Sequence, residues 1–151
     1  MSVNLEDLAQ AVIAASDRYT KLILLVGPKG SGKTELLRAY SQQTGTPYIP
    51  VGGRVAERLL STPPCFRDTE AGNALADLCP GPEPFLLDNL EVFFDVSLRL
   101  DPYRLLTGLA RTKTIVAAWP GSLQNGTLTY ASPGHREYRS IPAPEAECLL
   151  L

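Results

Sequence analysis

Apolar and polar positions along the chain follow two periods. Leu5, Leu8, Val12 and Ala15 recur at helical spacing, which predicts a helix to about Arg18, with Asn4 as its N-cap and Glu6 and Asp7 in its first turn. Leu22-Ile23-Leu24-Leu25-Val26 then runs without a polar break to Gly27-Pro28, the pattern of a strand buried on both faces. A helix is expected from near Gly32, turning Leu36, Leu37 and Tyr40 inward, followed by a short strand over Thr46–Val51. Gly52-Gly53 breaks that strand, and a short helix follows to about Leu60. Residues 61–72 are the least regular, because Ser61-Thr62-Pro63-Pro64 cannot continue a helix. A short helix over Glu70–Leu78, a proline-rich loop over 80–84 and a buried strand Phe85-Leu86-Leu87-Asp88 come next. Asp101-Pro102 opens a helix to about Arg111. Thr114–Trp119 reads as a further strand, ended by Pro120-Gly121. Asn125-Gly126, between Ser122-Leu123-Gln124 and Thr127–Tyr130, is a hairpin signal, and Cys148-Leu149-Leu150-Leu151 a last core strand.

Strands that alternate with helices predict a parallel sheet covered on both faces, with ligands at the carboxyl ends of the strands. The 151 residues fit one domain, with an N-terminal helix over 1–18 and a hairpin and loop insertion over 122–145 before the last strand. Composition is that of a globular chain, and the formal charge of −2 gives no overall reason to expect nucleic acid or an anionic membrane as the main partner. DNA contact through a local basic patch stays open. Cys65, Cys79 and Cys148 have no metal-ligand spacing, which fits a reduced, cytoplasmic compartment. The first residues lack the basic and apolar regions of a signal peptide, and the apolar runs are too short for a bilayer.

The most informative segment is Gly27-Pro28-Lys29-Gly30-Ser31-Gly32-Lys33-Thr34, followed by Glu35. It has the form G-x-x-x-x-G-K-[ST] between a buried strand and an amphipathic helix. Glycines let backbone N–H groups turn inward around phosphates, and the helix start adds its dipole and free N–H groups. Lys33 supplies a point charge to the β- and γ-phosphates, and the Thr34 hydroxyl is a magnesium ligand. The expected ligand is ATP with Mg2+; the loop reads phosphates and leaves the base open.

Phe85-Leu86-Leu87-Asp88 fits the second element of such sites, an apolar strand ending in a carboxylate that holds the metal. Hydrolysis also needs a group that orients or deprotonates water. Asn89 can position water but cannot act as a base. Glu91 is the candidate base, with a solvated loop carboxylate as the alternative reading, and Asp95 is a weaker candidate. Arg111, at the end of the predicted helix, reads either as a cation on the helix dipole or as an arginine finger supplied in trans; Arg104 follows it, and Arg99 flanks the helix. No stretch is long enough for a helical lid, so the cleft is expected to stay open and catalysis to be weak without a second subunit or partner. The segment from Trp119 to Arg139 carries the only Trp and the only His; it reads as a hairpin packed on the sheet edge or as a partner or nucleic-acid surface.

Together these elements resemble a known family. The phosphate loop with Leu36-Leu37-Arg38, then Leu86-Leu87-Asp88-Asn89-Leu90-Glu91 with Phe94-Asp95, Ala117-Ala118-Trp119-Pro120-Gly121, Asn125-Gly126 through Tyr130, Pro133-Gly134-His135 and Tyr138-Arg139-Ser140 look like the small P-loop protein of bacteriophage-exclusion (BREX) defence systems. The similarity spans about residues 21–142, and segment 52–84 departs from it at Gly52-Gly53 and Pro63-Pro64. The resemblance implies an AAA-like core and a bacterial host. It also implies partners among phage-defence proteins, including a DNA methyltransferase and other ATPases. The readings in play are a weak ATPase of a defence complex; a nucleotide-gated binding module with little turnover; and a small-molecule kinase, which the lack of an arginine-rich lid segment argues against. A homo-oligomer with nucleotide at the subunit interface is the expected assembly.

Overall fold

The computed structural model describes residues 3–81, 84–131, 134–142 and 144–151. Pro82 and Glu83 of the expected 80–84 loop, and Ser132 and Pro133 beside the Gly134-His135 pair, lie outside the described residues, as do Met1 and Ser2. The helices are α1 (Leu5–Ala15), α2 (Lys33–Thr44), α3 (Gly52–Leu60), α4 (Arg67–Leu78) and α5 (Pro102–Leu109). The strands are β1 (Leu22–Val26), β2 (Tyr48–Pro50), β3 (Phe85–Asp88), β4 (Ile115–Trp119), β5 (Ser122–Gln124), β6 (Thr127–Tyr130), β7 (Arg139–Pro142) and β8 (Glu147–Leu150).

Five strands form one parallel sheet in the order β2-β3-β4-β1-β8. The pleat sends alternate residues to opposite faces. Leu22, Leu24 and Val26 join Phe85, Leu87, Ile115, Ala117 and Trp119 in a core covered by α3, α4 and α5. Ile23 and Leu25 join Leu86, Val116 and Ala118 in a second core under α1 and α2. All five positions of β1 and of β4 are buried, which explains their unbroken apolar sequences.

Several boundaries differ from the sequence expectation. Strand β2 is only Tyr48–Pro50, because Thr46 is held by the end of α2: Ser41 Oγ donates to its carbonyl, and the Thr44 and Thr46 hydroxyls lie 2.7 Å apart. Helix α4 begins at Arg67 rather than Glu70, since a 3-10 turn at Pro64–Phe66 leads into it and Arg67 Nε donates to the Leu59 and Thr62 carbonyls. Helices α1 and α5 stop at Ala15 and Leu109, short of Arg18 and Arg111.

The Asn125-Gly126 turn joins β5 and β6 as an antiparallel pair, and β7 adds a third strand to this small sheet. The small sheet is bound to the large one through Trp119. Its indole Nε1 donates to the Thr129 carbonyl at 3.0 Å, and Phe94 packs edge-on against it. Phe94 in turn stacks on Tyr130, with ring centroids 3.9 Å apart. Among the described residues no helix follows β4, and no helix is long and apolar enough to cross a membrane.

Candidate functional site

Register places the carboxyl ends of the central strands side by side, with Val26 opposite Trp119 and Leu87 opposite Ala117. After β1 the chain turns to α2 on one face. After β3 and β4 it turns to the other face, where Leu90, Phe93 and Leu128 are buried. A crevice opens where the directions diverge, the place where open α/β sheets take ligands. It holds a cleft of about 850 Å3. One wall is Gly27, Pro28, Lys29, Gly30, Gly32, Lys33, Thr34 and Glu35; the other is Asp88, Asn89, Glu91, Ala118, Pro120, Gly121, Tyr130 and Ala131.

The loop wall follows from its residue types. Gly32 stands at φ +101° as the N-cap of α2, in the region that L side chains rarely adopt. It makes no side-chain cap, so the first N–H groups of α2 stay free to meet an anion. Ser31 does not line the cleft; its Oγ is buried and has no hydrogen-bond partner. Lys33 Nζ donates to the Gly27 carbonyl, folding the side chain back over the loop. Burial pulls the Lys33 ammonium below its ordinary pKa, while the charges of Glu91 and Asp88 pull it back up.

Asp88 is 5% exposed, and a carboxylate so buried needs donors. It has three. Thr34 Oγ1 and Tyr48 OH both donate to Oδ2 at 2.7 Å, and the Asn89 N–H donates to Oδ1 at 2.9 Å. Asn89 itself adopts the left-handed conformation at φ 60°, which turns the chain off the strand. A 3-10 turn, Leu90–Phe94, follows at once and carries Glu91 on the cleft wall. Burial raises the Tyr48 phenol above its ordinary pKa, and Asp88 raises it further. Tyr130 is likewise raised by burial first, then by the charges of Glu137 and Glu91.

The fold thus brings the loop residues, Asp88, Asn89 and Glu91 to one cleft. It does not bring the arginines there. Arg111 lies at the opposite, amino-terminal edge of the sheet, where the Lys21 N–H donates to the Ala110 carbonyl and the Arg111 guanidinium sits 4.6 Å from the Tyr19 ring centre. Arg104 and Arg99 are exposed and outside the cleft, and Asp95 ends the 3-10 turn outside it. His135 is exposed, and its Nδ1 accepts from the Glu137 N–H.

Two contributors were not legible in sequence. Tyr48 reads as an ordinary strand aromatic; only the β2–β3 register, with Tyr48 opposite Leu86 and Pro50 opposite Asp88, puts its hydroxyl on the carboxylate. Tyr130 reads as a hairpin residue, and only the docking of the small sheet makes it a cleft wall.

Among the described residues no group of three or more His, Cys, Asp or Glu side chains can hold a metal. The Thr34–Asp88 pair offers one hydroxyl and one carboxylate. That donor set suits Mg2+, which keeps waters and takes substrate phosphate oxygens, and does not suit an ion held by protein alone. No family model, curated protein or solved structure matches the chain.

Proposed function

We propose that this chain is a P-loop nucleotide-binding protein that takes ATP with Mg2+ in the cleft between the 27–35 loop and the 88–91 turn. The observation that carries the reading is the 2.7 Å contact between Thr34 and Asp88 at the foot of a loop that also presents Lys33 and an uncapped helix start. Residues 54 positions apart, both expected from phosphate chemistry, meet only because the parallel sheet sets the ends of β1 and β3 together. The free N–H groups and Lys33 would hold the phosphates; Thr34 and Asp88 would hold the metal, which would supply charge neutralisation.

Hydrolysis by this site is weak. Glu91 orients or deprotonates water, and Asn89 beside it is an amide without basicity. The cleft is bounded by the small sheet, not closed by a helical lid, and water weakens its electrostatics. Arg111 reaches a cleft only in a head-to-tail assembly, where one subunit's amino-terminal sheet edge faces the next subunit's loop. The same features favour a second reading, a nucleotide-gated binding module with little turnover: Asn89 stands where a base would serve, and Glu91 is exposed. On the resemblance to BREX P-loop proteins, we assign the chain to a cytoplasmic bacterial phage-defence complex whose assembly responds to nucleotide.

The test is calorimetric titration of the whole chain with Mg·ATP, Mg·ADP and AMP. The reading expects saturable ATP binding at one site per chain and weak AMP binding, because affinity resides in the β- and γ-phosphates. Absent ATP binding, or AMP binding as tight as ATP, contradicts it.

A further inference from the structure

We propose that Tyr48 is a positioning residue for Asp88, holding the carboxylate turned toward the metal position beside Thr34. The inference rests on the nucleotide reading above and deepens it. Nothing in the phosphate-loop pattern calls for a tyrosine here.

The geometry is a closed ring of contacts across three elements. Tyr48 OH donates to Asp88 Oδ2 at 2.7 Å, and Thr34 Oγ1 donates to the same oxygen at 2.7 Å. Thr34 and Arg38 are four apart on α2 and therefore share a helix face. The Arg38 guanidinium sits 5.4 Å from the Tyr48 ring centre, so the helix that carries Thr34 also steadies the tyrosine. Tyr48, Leu86 and Asp88 lie on the sheet face that α2 covers.

Chemistry decides what the hydroxyl is for. Oδ1 is already tied to the Asn89 N–H, so Oδ2 is the oxygen that faces Thr34 and the cleft. Thr34 would serve the metal with a lone pair while its O–H stays on Oδ2. Tyr48 is the donor whose hold does not depend on the metal. Without it Oδ2 keeps only the Thr34 hydroxyl, and the carboxylate gains freedom to rotate about its Cβ–Cγ bond. Partners of this kind, one step behind a metal ligand, change metal affinity by roughly 10- to 100-fold when removed.

The role makes a specific separation. Phosphate recognition by the loop does not involve Tyr48, whereas the gain in ATP affinity on adding Mg2+ does. The experiment measures ATP binding by the whole chain in EDTA and across a Mg2+ titration, for the native protein and Tyr48→Phe, with thermal unfolding followed alongside. In Tyr48→Phe, ATP affinity in EDTA stays within about twofold, and the Mg2+ concentration for half-maximal enhancement rises by roughly tenfold. In an Asp88→Asn background, Tyr48→Phe has no further effect on the Mg2+ response, which a merely structural tyrosine would not produce. Arg38→Met leaves the hydroxyl in place and shifts the Mg2+ midpoint in the same direction by less; this variant carries the test if Tyr48→Phe does not fold. An unchanged Mg2+ midpoint in Tyr48→Phe, or an equal loss with and without Mg2+, overturns the inference while the nucleotide reading stands. Absence of ATP binding in the native chain overturns the nucleotide reading itself.

Discussion

Gly121 is where the small sheet presses hardest on the large one. A Cβ built there stands 1.8 Å from the Thr129 carbonyl oxygen and 2.8 Å from Trp119 Nε1. Since real Cβ atoms essentially never approach within 3.0 Å, Gly121→Ala forces β6 away from Trp119 by more than about 1 Å. That displacement breaks the Trp119–Thr129 hydrogen bond, leaving a buried indole N–H unpaired. Overpacking costs about 1–3 kcal/mol and the unpaired donor about 1–3 kcal/mol, so the variant loses about 2–6 kcal/mol of stability. With a urea dependence of about 2 kcal/mol per molar, the unfolding midpoint falls by about 1–3 M. Trp119 is the only tryptophan, so its fluorescence reports the event directly. Gly108→Ala is the internal control: it lies in α5 with open space around a built Cβ and gains about 0.5–1 kcal/mol. A Gly121→Ala midpoint within about 0.3 M of the native protein refutes the docking of the small sheet described here.

Other expectations follow from the cleft and the core. Glu91→Gln lowers ATP turnover by roughly 100-fold while ATP affinity at neutral pH holds; an unchanged rate in a single-turnover assay moves the water-activating role elsewhere. On the proposed function ATP binding needs the Lys33 ammonium, whose pKa burial lowers and Glu91 raises, so affinity is expected to fall as pH rises through the lowered pKa and to fall at lower pH in Glu91→Gln. A binding curve flat to pH 10.5 in both proteins contradicts that assignment. Burial pushes the Cys79 thiol up to about 11, whereas Cys65 is exposed. A thiol reagent at pH 8 should therefore label Cys65 rapidly and Cys79 only on unfolding; mass spectrometry showing equal rates at the two positions contradicts the packing around Cys79.

How far the chain could be read in advance depended on whether the deciding contacts are local. Strands β1, β3 and β4 stand out because burial on both faces leaves no polar position in them before Asp88 closes β3. The loop at 27–34 was legible because strand, glycines and helix are contiguous. Strand β7, Arg139–Pro142, was not: Ile141 is its only large apolar residue, and pairing with β6 alone makes it a strand. The 3-10 turn after Asp88 was hidden for a related reason. Leu90, Phe93 and Phe94 are buried by packing under α3 and the small sheet, and no local period announces that. Sequence places Arg111 only at a helix end, and its distance from the cleft follows from chain direction: α5 runs back to the amino-terminal edge before β4 begins. Tyr48 needed the pairing of β2 with β3, a relation across 40 positions.

The most direct test of the central claim compares thermal unfolding of the native protein and Lys33→Ala with and without Mg·ATP. For a ligand at a hundred times its Kd, linkage gives about 2.7 kcal/mol, or about 8 °C for a chain of this size. The account predicts an upward shift of that order for the native protein and none for Lys33→Ala, with both unfolding at similar temperatures when nucleotide is absent. Equal stabilisation of the two proteins by ATP would contradict it.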